Sequence, residues 1–337
     1  MNRRKTYTRT GLTLAISLII TACSQGSSNN QNTGQISYNL VTISNPGNES
    51  DVLTGFGKVD YIYQIGKYDV TIAQYTAFLN AIAKTDTYNL YDTRMATDLN
   101  SAGINRTGAA GSYAYSVMNN GGSSANRPIT YITWLEAARF ANWMANGQPN
   151  GAQTTSTTEN GAYNLNGATS GNAAVKNSIN PNTGSTPTYS IPTYDEWYKA
   201  AYYSPELNNG SGGYYLYATE SNTAPGNSIG NLPNNANNFP ATTLCVTQSP
   251  DYLYATQNYL TDVGAFTASP SYYGTFDQNG NVYQWNDLDG LPTPYRGLAG
   301  GYWFAGANAM QATIYSTNAI TGTDNGTGFR LASPAAQ

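Results

Sequence analysis

The 337-residue sequence contains no histidine and only two cysteines, Cys23 and Cys245. Without imidazole there is no Ser-His-Asp or Cys-His catalytic pair, none of the common zinc sites and no histidine-ligated iron. Charge is scarce as well: Asp, Glu, Lys and Arg make up 10% of the chain, against 29 Tyr and 34 Gly. A surface poor in Lys and Glu must be built from phenols, amides and hydroxyls. Recognition surfaces use that mixture, with Tyr as rigid contact area and Asn, Ser and Gly as adaptable hydrogen-bonding groups. The first 22 residues carry Arg3, Arg4, Lys5 and Arg9 and no acid; without them 11 basic groups face 19 acidic ones, a charge of −8. That balance argues against a nucleic-acid partner, because phosphate binding needs a basic footprint. Beyond the N-terminus no apolar run is long enough to span a bilayer.

What is present begins with an address. A basic start, an apolar stretch from Gly11 to Ile20 and then small residues make residues 1–22 a signal peptide. Its end, Ile20-Thr21-Ala22-Cys23, matches the bacterial lipobox, in which the cysteine is lipidated and becomes the new N-terminus. Arg3-Arg4 leaves Sec and twin-arginine export both open. Ser24 after the cysteine favours sorting to an outer membrane, so the expectation is a lipid-anchored, surface-exposed protein. Residues 23–36 are too polar to bury a core and read as a flexible tether. With Cys23 lipidated, Cys245 stands alone, and no intrachain disulfide is available to the mature domain. Cys245 is either a buried apolar filler or a reactive thiol.

Residues 37–337 read as one large domain with long polar loop insertions. Gln64–Thr71 alternates like a strand and passes into helical spacing from Ile72, with Thr71 as N-cap. Arg127–Trp134 is an extended entry to a helix over Leu135–Met144, with Thr133 as its cap. Asn146 to about Thr188 and about 204–265, rich in Gly, Asn, Ser and Thr, read as surface insertions. Between them Thr193 and Glu196 form a capping box ahead of Trp197.

Six blocks occur in order: Val70-Thr71-Ile72-Ala73-Gln74-Tyr75, Pro128–Trp134, Ile191–Ala201, Gly280-Asn281-Val282-Tyr283-Gln284-Trp285, Gly300-Gly301-Tyr302-Trp303 and Gly328-Phe329-Arg330. Together they resemble the formylglycine-generating, or sulfatase-modifying factor, family. The resemblance implies its α+β, C-type-lectin-like fold. It does not bring the chemistry. Oxidase members place two cysteines between the Gly-Gly-Ser-Trp block and the final Gly-Phe-Arg, and Gly300–Arg330 contains none. Relatives that join sulfur to carbon use histidine-ligated iron. The family also tends to bind calcium near the fourth block. Here Asn281 is the candidate ligand while the acidic position is Gln284, so the block either holds structural calcium or packs through Trp285. No other cofactor is expected.

The C-terminal segment, 291–332, departs from the family in a patterned way. Its expected arginines stand as Gln311 and Tyr315. It resembles the variable region of retroelement-diversified surface lipoproteins, in which template adenines are randomised. Asn codons then become Tyr, Phe, Ser, Thr, Ile, Asp, Ala or Gly. Tyr302, Phe304, Asn308, Ile314, Tyr315, Asn318, Ile320 and Asp324 fit that set and are the candidate ligand contacts. Trp303, Met310 and Gln311 fall outside it and would be constant. Drift of lectin-fold loops is the competing account of the same pattern. Three functions follow: a surface receptor or adhesin for a protein or carbohydrate, a divergent family enzyme relying on Cys245, and a structural envelope lipoprotein.

Overall fold

The computed structural model describes Met1, residues 35–250 and residues 253–334. Past Met1, the expected signal peptide, Cys23 and the expected tether to residue 34 lie outside the described residues. The chain divides into Met1–Thr33 and Gly34–Gln337, and the second unit holds every described element.

Three helices begin with the same device. α1 (Ile72–Ile82) follows Thr71, α3 (Trp134–Ala145) follows Thr133 and α4 (Tyr194–Tyr202) follows Thr193; α2 (Arg94–Thr97) is a single turn. At each long helix the threonine hydroxyl accepts from the backbone N–H three residues on. The Gln74, Glu136 or Glu196 side chain accepts the threonine's own N–H in return. Two donors that a helix start leaves orphaned are thus satisfied at each entry, about 0.5–2 kcal/mol for the cap.

The strands are short. β1 (Leu40–Ile43), β2 (Tyr63–Gly66), β3 (Ile104–Thr107) and β4 (Ala114–Val117) precede α3, and β5 (Tyr203–Ser204) and β6 (Gly213–Tyr214) follow α4. β7 (Tyr283–Asn286), β8 (Tyr295–Ala299), β9 (Ser316–Ala319), β10 (Thr327–Phe329) and β11 (Ala332–Pro334) close the chain. They form a four-stranded sheet in the order β10-β7-β8-β9, a three-stranded sheet β1-β2-β11 and two hairpins, β3-β4 and β5-β6. β10 runs parallel to β7, and the other pairs are antiparallel. The strand expected over Gln64–Thr71 ends at Gly66, where the backbone turns toward α1. The fold is α+β, as the motif order implied. Among the described residues no helix is long and apolar enough to cross a membrane.

The polar segments read as surface insertions are corrected by the structure. All twelve residues of α3 are buried, including Arg139 and Asn142, because the segment after the helix folds back over it. Glu159 accepts two hydrogen bonds from the Arg139 guanidinium, at 2.8 and 2.9 Å. Asn142 donates to the carbonyls of Thr158 and Tyr163 and accepts the Tyr163 N–H at 2.7 Å. Amide-rich chain can therefore be interior when its side chains satisfy the backbone groups they cover. The second insertion likewise buries Tyr217, Leu244 and Leu260. Nor is Ile36 free in the tether: its N–H and carbonyl both pair with the side chain of Gln148.

Candidate ligand-binding face

The sequence blocks meet inside the molecule rather than at a reactive centre. The Gln284 amide oxygen accepts from Trp197 Nε1 and Arg330 Nε, both at 2.7 Å. Arg330, fully buried, also donates to Asp69 Oδ1 at 3.0 Å and to the carbonyls of Gly66 and Phe276. Trp285 Nε1 donates to the Ile132 carbonyl. Asp287 accepts from Trp134 Nε1, Arg296 Nε and the Tyr163 hydroxyl. Four blocks are thereby tied by interior hydrogen bonds, which assigns them to the frame. Glycine serves the same end at Gly280: with φ +76°, an added Cβ would lie 2.2 Å from the Asn237 carbonyl oxygen.

The residues of this frame do not fit calcium at Asn281. Its Oδ1 accepts from Asn237 Nδ2 at 3.0 Å and from the Thr261 N–H at 3.2 Å, and its Nδ2 donates to the Thr261 carbonyl. A side chain so spent has no lone pair aimed at open space, and Gln284 is occupied as described. Among the described residues no three His, Cys, Asp or Glu side chains group to hold a metal. Cys245 is 3% exposed. Burial pushes its thiol up to about 12, the direction opposite to that of a reactive thiolate.

The C-terminal candidates separate by depth. β7, β9 and β10 begin, and β8 ends, at one end of the four-stranded sheet, as the pairs Tyr283↔Thr327, Gln284↔Ala299 and Leu298↔Ser316 require. Four strands spaced about 4.8 Å apart make that end roughly 14 Å wide. Tyr302 sits at the β10 side, half-buried, stacked on Tyr283 with ring centroids 5.4 Å apart. Phe304, also half-buried, stacks on Phe239 at 5.4 Å. At the β9 side, Ile314 is 42% and Tyr315 48% exposed. Asn308 is exposed in the 3₁₀ turn Ala307–Met310. Asp324 is exposed but spends Oδ1 on the Gly326 N–H and the Thr327 hydroxyl, shaping the entry to β10. Asn318, half-buried, turns its Oδ1 onto the Ala319 N–H.

Ile320 requires a correction. It is 1% exposed and packs in the main core, so it cannot touch a ligand. Its codon fits the exchangeable set, but β9 carries its end inward, and codon class reports nothing of depth. Trp303 and Met310 are buried, and Gln311 donates to the Tyr217 hydroxyl. Trp303 stacks on Tyr259 at 5.1 Å and donates through Nε1 to the Asn325 carbonyl. Replacing Trp303 by Ala is therefore expected to cost about 3–5 kcal/mol in urea unfolding. Tyr315→Ala should cost less than about 1 kcal/mol. An equal loss for the two would make Tyr315 a core residue.

Residues 58–335 match the family described as Sulfatase-modifying factor enzyme 1-like domain. The chain belongs to that family. Solved structures similar to this sulfatase-modifying factor enzyme 1-like domain include CarF, 20% identical, covering 90% of this chain and 100% of that one, with a TM-score of 0.49. Treponema denticola variable protein 1 is 15% identical, with 89% and 96% coverage and a TM-score of 0.49. PvdO from Pseudomonas aeruginosa is 16% identical, with 89% and 92% coverage and a TM-score of 0.42. No curated protein sequence matches the chain. Within its family this domain is divergent, because Gly300–Arg330 has no cysteine.

Sequence reasoning missed the groups beside Tyr315. Phe56 stacks on it at 5.9 Å, and Tyr194 lies 5.3 Å away. Phe56 carries no local signal, and Tyr194 reads only as the first residue of α4.

Proposed function

We propose that this protein is an exported, surface-displayed binding protein. In this reading it is lipid-anchored to the outer membrane through Cys23. It recognises a protein or carbohydrate through the C-terminal segment of a sulfatase-modifying factor frame, and it is not a thiol oxidase. The observation that carries the reading is the partition within residues 302–324. Trp303, Met310, Ala312 and Ile320 are buried and hold the segment, while Asn308, Ile314, Tyr315 and Asp324 are exposed. Side chains that face solvent from a fixed backbone can be exchanged at little cost in stability, which a diversified face requires. The acidic composition supports a partner other than nucleic acid.

Sequencing the 3′ end of the gene from several isolates tests this. Variation should concentrate at codons 302, 304, 308, 314, 315, 318 and 324, with Trp303, Met310, Gln311 and Ile320 constant. Substitutions spread evenly over exposed and buried codons would sink the idea.

A further inference from the structure

The exposed ring of Tyr315 does not stand alone. It forms one wall of a cleft of about 160 Å³, lined by Phe56, Tyr194, Asp195, Leu288, Asp289 and Tyr315. Three aromatic rings meet there. Phe56 and Tyr194 are edge-to-face at 4.7 Å, Phe56 and Tyr315 stack at 5.9 Å, and Tyr194 and Tyr315 are 5.3 Å apart. Two carboxylates share the cleft, and among the described residues no basic side chain lines it. Asp195 Oδ1 accepts the Gly57 N–H at 2.7 Å, and Asp289 Oδ1 accepts the Leu291 N–H at 3.0 Å. Neither is in an ion pair among the described residues.

The walls are built, not incidental. Leu288 has φ +53°, a left-handed conformation that strains a bulky side chain. It is held there by the Tyr194 N–H donating to its carbonyl at 2.9 Å and by its own N–H donating to Asn286 Oδ1. That clamp joins the loop after β7 to the start of α4 and sets Asp289 beside Tyr315. Strain kept in place by surrounding hydrogen bonds is common at ligand sites.

We infer that this cleft receives the guanidinium of an arginine side chain presented by a partner protein. The aromatic faces and the two carboxylates both attract a cation. Among the cationic side chains of proteins, guanidinium alone combines a planar face that stacks on flat rings with a fork of N–H donors for carboxylates. A quaternary ammonium has no donor to give Asp195 or Asp289. The small volume admits the end of a side chain rather than a sugar ring with its neighbours. The inference rests on the binding-face reading, since Tyr315 belongs to that face. It adds that the frame residues Phe56, Tyr194, Asp195 and Asp289 supply a constant cation-seeking anchor beside the exchangeable positions.

The test titrates the full-length protein with N-acetyl-L-arginine N-methylamide, followed by ligand-observed NMR. The citrulline analogue, the lysine analogue and tetramethylammonium are run alongside. Arginine amide should saturate in the millimolar range. Citrulline, which keeps the shape without the charge, should bind at least tenfold more weakly, and lysine and tetramethylammonium several-fold more weakly. Asp289→Asn and Tyr315→Ala should each weaken arginine binding at least threefold while thermal unfolding stays unchanged. Equal binding of citrulline, equal or tighter binding of tetramethylammonium, or variants that bind like the parent protein would each overturn the assignment. The two ideas fail separately. No arginine binding with isolate variation still confined to the codons named above removes the guanidinium alone, whereas even variation removes the face itself.

Discussion

Arg330→Met is expected to lower the unfolding free energy by about 3–5 kcal/mol, read as a reduced urea midpoint at unchanged slope. The guanidinium is fully buried and donates to Gln284 Oε1, Asp69 Oδ1 and the carbonyls of Gly66 and Phe276. Methionine replaces the aliphatic stem but not the guanidinium, and satisfies none of them. The largest loss falls on Asp69, whose side chain is fully buried and whose Oδ2 already has no partner among the described residues. Removing Arg330 would leave that carboxyl with no charge partner in a low-dielectric interior, the costly half of a buried ion pair. The double replacement Asp69→Leu with Arg330→Met should recover part of the loss, since neither group then waits for the other. A loss below about 1 kcal/mol for Arg330→Met would show that these blocks are not held together as described.

Stability should also fall as pH rises from about 4 to about 8, the reverse of a protein held by ionised carboxylates. Burial pushes Asp277 up to about 6 against the opposing Gly264 N–H and Arg330. It pushes Glu136 up to about 8 against the Thr133 hydrogen bonds. In the unfolded chain both groups release their protons near pH 4. Between pH 4 and about 6 for Asp277, and on to about 8 for Glu136, the native state holds protons that the unfolded state has lost. Stability then declines with pH. A shift of this size on Asp277 is worth on the order of 3 kcal/mol. With no histidine in the chain, no imidazole titration opposes the trend. Scanning calorimetry at pH 4, 5, 6, 7 and 8 should show the melting temperature highest at the acidic end. Asp277→Asn should flatten the lower part of the curve and Glu136→Gln the upper part. A melting temperature that climbs across this range would refute the assignment.

The two predictions share a cause. A chain with so few charges buries several of them: Arg330 donates to Gln284 and backbone carbonyls, Glu136 accepts the Thr133 N–H and Asp277 the Gly264 N–H. Asn142, Asn237, Asn281 and Gln284 act as interior connectors, each making hydrogen bonds to groups far away in sequence. The Asn-rich composition suggested an adaptable surface, and part of that amide content instead fastens the interior.

Local signals were readable at the helix starts. Thr71 with Gln74, Thr133 with Glu136 and Thr193 with Glu196 act within one turn, so neighbouring residues suffice to specify them. The order of the six blocks was sufficient for the family and its α+β fold, because each block pairs a turn or cap with a large aromatic or an arginine at fixed spacing. The absence of cysteine from Gly300 to Arg330 was likewise visible without coordinates. Depth was not. Ile320 and Ile314 are the same residue in the same segment, yet one is core and the other 42% exposed, because β9 carries its far end beneath the chain. Nor could sequence show that residues 146–188 cover α3, that Asn281 is fully engaged, or that Phe56 meets Tyr315. Those outcomes depend on which distant segments come together, and pairing at long range leaves no periodicity for a local reading to detect.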